Sequence, residues 1–74
     1  MGAHTHVHDD GDVKFAVLCM QHQNGWTIEL QQIDDEGASI GPCWRDMDRS
    51  YASLDDAKSA GVRIGLSRYT PRRP

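Results

Sequence analysis

A chain of 74 residues makes one small domain and leaves little room for an enclosed catalytic chamber. It has no apolar run long enough for a membrane-spanning helix and no basic stretch leading into an apolar one at its start, so a cytoplasmic location is expected. The net charge of −3 is unevenly spread. Residues 1–57 hold all eleven acids and, among the basic residues, only Lys14, Arg45 and Arg49; residues 58–74 hold Lys58, Arg63, Arg68, Arg72 and Arg73 and no acid.

Residues 1–12, MGAHTHVHDDGD, are polar and rich in His and Asp, and read as a flexible N-terminal arm. Residues 13–21, VKFAVLCMQ, are β-prone. Phe15, Val17 and Cys19 share one face and Ala16, Leu18 and Met20 the other, which predicts a central strand covered at least partly on both sides. Asn24-Gly25 is a hairpin signal because both residues tolerate positive φ. The stretch WTIELQQI then alternates, with Trp26, Ile28 and Leu30 on one face and Thr27, Glu29 and Gln31 on the other, as in a half-buried antiparallel strand. Ile33 breaks the alternation at a bulge or strand end.

After a turn at DDEGAS, SIGPCWRDMD reads as a third strand. Pro42 lacks a ladder donor and places this strand at an edge or a bulge. Ser53 is an N-cap for a helix carrying Asp55 and Asp56 in its first turn, where the helix dipole favours acids. Leu54, Ala57, Gly61, Ile64 and Gly65 define its inner face, broadened by Val62, Leu66 and Tyr69, and Asp55, Asp56, Ser59, Arg63 and Ser67 face water. Gly61 and Gly65 each cost about 1 kcal/mol against Ala, which close helix–sheet approach beside a Trp would offset. The prediction is a two-layer α+β domain over residues 13–69, a three-stranded antiparallel sheet (β-β-β-α) with one C-terminal helix on one face, followed by a basic tail over 70–74.

Few residues suggest chemistry. His4, His6 and His8 would share a face of an extended chain, and imidazoles suit Zn, Cu and Ni. If Met1 is removed, Gly2-Ala3-His4 supplies an amine, two amides and a third-position imidazole, a square-planar set for Cu(II) or Ni(II). The alternative is a solvated tail. Cys19 and Cys43 lack metal-binding spacing and read as free thiols in a reducing compartment. The acidic clusters lack the calcium-loop pattern, and no serine sits in a nucleophile elbow. The chain is expected not to be an enzyme and to need no cofactor.

Arg63, Arg68, Arg72 and Arg73, with Tyr69 as a stacking ring, form a possible nucleic-acid contact, opposed by the acidity of the rest of the chain. Trp26, Trp44, Tyr51 and Tyr69 are the residue types that anchor protein interfaces, or else they complete the core. Self-association through an open edge or face would also enlarge a small core.

The hairpin, the third strand, and Tyr51 followed by the Ser53-capped, Ala57-containing helix resemble small bacterial β-β-β-α domains. The layout is similar to the HicB-type antitoxin domain and to the arm-binding domain of phage integrases. The likeness extends over about residues 13–69 and implies a fold, with no functional residues carried over. The expectation is a non-enzymatic binding or regulatory module acting through a protein interface, its partner another protein or a second copy. Metal binding by the arm and weak nucleic-acid binding by the Arg cluster are the alternatives.

Overall fold

A computed structural model describes residues 2–69, apart from the side chains of Met47 and Asp48. The element order is β1 (Ala3–Asp9), β2 (Lys14–His22), β3 (Gly25–Ile33), β4 (Ser39–Tyr51) and α1 (Leu54–Tyr69). The four strands form one antiparallel sheet in the order β1-β2-β3-β4, and α1 packs on one side of it. The α+β class and single C-terminal helix agree with the sequence reading. The three-strand expectation is corrected to four, because residues 3–9, expected within a flexible arm, pair along their whole length with β2.

The cause is local. Gly11, at φ 91°, is the first central residue of a two-residue turn between Asp10 and Val13, the position that a hairpin turn reserves for Gly. Asp9 Oδ1 accepts from the Gly11 N–H at 3.1 Å, and Asp10 Oδ1 accepts from the N–H groups of Asp12 and Val13 at 3.0 Å each. The two carboxylates thus hold the reversal that lays β1 on β2.

The β2–β3 turn also differs from expectation. His22 pairs with Gly25, so Gln23 and Asn24 are the central residues, and Gly25 alone takes positive φ, 132°. A Cβ at Gly25 would lie 2.5 Å from Tyr51 O, so the end of β4 also requires glycine there. β3 ends at Ile33, as its broken alternation predicts. β4 is an edge strand whose register with β3 shifts twice, once beside Pro42, in agreement with the reading of that proline. Gln31 Nε2 donates to Ile40 O and Gly41 O across the second irregularity, at 3.1 and 3.2 Å.

The core lies between β2, β3 and α1. Phe15, Val17, Cys19, Ile28 and Leu30 are fully buried, and full burial of such aliphatic and aromatic side chains stabilises by roughly 1.5–3 kcal/mol each. Ser53 Oγ accepts from the Asp56 N–H at 3.1 Å and caps α1. The helix buries its small residues, Ala57, Ala60, Gly61 and Gly65, while Leu54, Ile64, Leu66 and Tyr69 pack around them. Gly61 and Gly65 do mark close approach, but to Val17 and Phe15 and not to a Trp.

Candidate interaction surface

Strand alternation and register sort the side chains to two sides of the sheet. Phe15, Val17 and Cys19 of β2 and Ile28 and Leu30 of β3 point toward α1. Ala16, Leu18, Met20 and His22 point the other way, with Thr5 and Val7 of β1 and Thr27, Glu29 and Gln31 of β3 beside them. No element among the described residues covers this second side. β2 is central in the sheet, between β1 and β3, as expected; the cover expected at least partly on its second side comes from sheet neighbours and not from another element. Ala16 is buried by its sheet neighbours, whereas Met20 is 45% exposed and Val7 is 49% exposed.

The uncovered side holds a shallow depression of about 250 Å³ lined by Met20, His22, Thr27, Ile28, Glu29 and Arg45. Its polar groups are mutually engaged. His22 Nε2 and Thr27 Oγ1 are hydrogen-bonded at 2.8 Å, and Arg45 Nε donates to Glu29 Oε1. Such a surface presents apolar atoms between satisfied polar groups, the composition of a contact surface. Sequence alternation contained Leu18 and Met20 as a second apolar face, but not which side the single helix would choose.

The sequence-derived candidates are distributed as follows. Trp26, Trp44, Tyr51 and Tyr69 are half-buried and pack against the core, so all four complete the hydrophobic cluster. Trp44 pairs with Leu30 and carries the Arg68 guanidinium 5.2 Å above its ring, while the Tyr69 ring lies 5.6 Å from that of Phe15. Arg63 and Arg68 are exposed. Arg72 and Arg73, with the 70–74 tail, lie outside the described residues.

His4, His6 and His8 follow one another along the α1 side of β1, opposite Cys19, Val17 and Phe15, with about 7 Å between successive residues. The His8 ring lies 5.2 Å from that of Phe15, and its buried Nε2 is 3.6 Å from Asp10 Oδ2. Burial, followed by Lys58, His8 and His4, holds the His6 pKa below 6.5. Among the described residues, no group of three or more His, Cys, Asp or Glu side chains is placed to hold a metal ion. The amino-terminal chelate would need the amide of His4, which pairing with Cys19 directs into the sheet. Cys19 is buried under α1 and Cys43 is exposed on the edge strand β4, both as free thiols.

None of the described polar or charged residues is buried, and none of their helices is long and apolar enough to cross a membrane. The chain matches no family model, no curated protein and no solved structure.

Proposed function

We propose that the protein is a non-enzymatic binding or regulatory module whose contact surface for a partner protein is the side of the sheet that α1 leaves open. The observation that supports this most directly is the exposure of Val7 and Met20 there, Met20 on a strand, β2, whose opposite face is fully buried at Phe15, Val17 and Cys19, and Val7 on the neighbouring β1. Leu18, Thr5 and Thr27 extend the patch between them. Exposed apolar side chains gathered on one face are the usual mark of an association site.

Site-specific photo-crosslinking in cells that express the protein tests this reading. A photoreactive side chain at Thr5 or Thr27 reports the open side; one at Ser59 reports the outer face of α1. Protein adducts of defined mass from the first two positions, and none from Ser59, are expected. Adducts that form equally at Ser59, or none at Thr5 and Thr27, contradict it.

A further inference from the structure

The two edges of the sheet are built differently. β4 is guarded: Pro42 lacks an N–H, Gly41 takes φ 70°, the register shifts twice, and Arg45 and Arg49 line the strand. Bulges, proline and cationic side chains are the devices that stop one sheet edge from pairing with another. β1, with the sequence AHTHVHD, has no Pro, Lys or Arg and no register shift.

The backbone of β1 shows what its edge offers. The Gln21 N–H donates to Gly2 O at 2.8 Å, and the Asp10 N–H donates to Val13 O at 3.3 Å. Both lie on the register that pairs His4 with Cys19, His6 with Val17 and His8 with Phe15. In an antiparallel pair, hydrogen-bonded and non-hydrogen-bonded positions alternate. The even-numbered residues of β1 therefore turn their N–H and C=O groups toward β2, and Ala3, Thr5, Val7 and Asp9 turn theirs outward.

We infer that β1 pairs with β1 of a second copy, antiparallel and centred on His6, joining two sheets into one of eight strands. In this register every residue of the strand is used. Thr5 and Val7 exchange backbone hydrogen bonds with Val7 and Thr5 of the second copy, and Ala3 and Asp9 with Asp9 and Ala3. The first exchange sets one β-branched side chain opposite another on the open face, a favourable cross-strand pair. A heterologous strand could use the same donors and acceptors; a second copy is favoured because self-pairing sets Thr5 opposite Val7 twice and Asp9 opposite Ala3, with no two carboxylates opposed, and enlarges a small core. Thr5 and Val7 belong to both the edge and the uncovered face, so the two proposals are separated at residues that belong to one alone: Thr27, on β3, reports the face, and His6, on the α1 side of β1, reports the edge.

The two-fold axis stands perpendicular to the joined sheet and keeps both helices on the same side. With strands about 4.8 Å apart, helices seated over β2 and β3 stand about 19 Å from each other, roughly twice the separation of a packed helix pair. The seam between them stays open to water and is floored by the His4, His6 and His8 imidazoles of both copies. His6 lies opposite His6, and His4 opposite His8. Lys58 faces this row from α1, and Asp10 stands beside His8. Charging the row sets like charges directly opposite, which destabilises the pairing, so the dimer weakens in acid.

Two measurements on the full chain test the inference. Sedimentation velocity from micromolar to millimolar protein at about pH 8 should move from the 8.3 kDa chain toward twice that mass, with weaker association at about pH 5.5, across the imidazole range. Thr5→Pro removes an outward N–H from each copy and should weaken association about tenfold or more. Val7→Lys, which keeps every backbone group, should weaken it as well. A chain that stays single throughout, or a dimer indifferent to both substitutions, overturns the inference. The register is read by disulfide capture with Cys43→Ser as background. Residues opposed at a non-hydrogen-bonded pair have Cα atoms about 4.5 Å apart, within disulfide range. His6→Cys should therefore give a covalent dimer on mild oxidation, while His4→Cys alone should not. The reverse result overturns the His6-centred register.

Discussion

Gly65 and Phe15 touch in a way that admits no other residue at position 65: a methyl carbon added to Gly65 would overlap the buried Phe15 ring. This contact sets the distance between α1 and the sheet. Alanine is the better helix former by about 1 kcal/mol, yet overpacking a core costs about 1–3 kcal/mol. Gly65→Ala is therefore expected to lower the urea midpoint, and Phe15→Leu in the same chain to restore part of the loss. Gly37 provides the contrast. It has open space around it but φ 84°, so Gly37→Ala costs about 1–2 kcal/mol from backbone strain alone, and Phe15→Leu gives no relief.

Ser53 contributes through one bond, from the Asp56 N–H to its Oγ. Ser53→Ala should cost about 1 kcal/mol and Ser53→Asp much less. Equilibrium unfolding of the three chains checks this; equal losses in both variants would remove the cap from the account.

The elements legible in the sequence were those where local chemistry and tertiary packing agree. Trp26, Ile28 and Leu30 alternate and sit on the core side of β3, Ser53 caps the helix, and Asp55, Asp56, Ser59, Arg63 and Ser67 face water. β1 was not legible because neither of its faces is apolar. His alternates with Ala, Thr and Val, and the strand is held by pairing to β2 and not by burial of its own. The usable signal was Gly11-Asp12, a hairpin dipeptide with glycine first, after the β-branched Thr5 and Val7. The open side was hidden for a different reason. Ala16, Leu18 and Met20 look like a second core face, and only the count of helices shows that nothing covers them. Two glycines announced close packing, but their partners, Val17 and Phe15, are set by three-dimensional register.

The pH dependence follows from two groups. The His6 pKa is held below 6.5, first by burial and then by Lys58, His8 and His4, so unfolding takes up a proton. Its contribution to stability is complete above pH 6.5 and is lost as pH falls through the folded value. The Asp10 carboxyl is held below 3.8 by the backbone N–H groups of Val13 and Asp12; its contribution is present above 3.8 and lost as pH falls below that. Stability should thus decline in acid in two steps of the same sign. Proton NMR of the imidazoles should place His6 below 6.5, and Lys58→Met should raise it. A His6 titrating above 6.5 would contradict this arrangement.

The two thiols should differ in access. Cys43 is exposed and Cys19 is buried. Burial raises both thiol pKa values above 9.0, and at Cys43 the Glu29 carboxylate raises it further. Thiolate is the reactive form, so a disulfide reagent should label one thiol of the folded chain, slowly and faster with rising pH, and the second only on unfolding. Glu29→Gln should speed the first reaction. Labelling of both thiols at one rate in the folded chain would contradict the placement of Cys19.

The most direct measurement is residue-resolved amide hydrogen exchange over β1. At low concentration the amides of His4, His6 and His8 should be protected by β2, while those of Thr5 and Val7 exchange freely. At high concentration Thr5 and Val7 should become protected as well. Fast exchange at every residue from 3 to 9 under both conditions would contradict the strand and the free edge built on it.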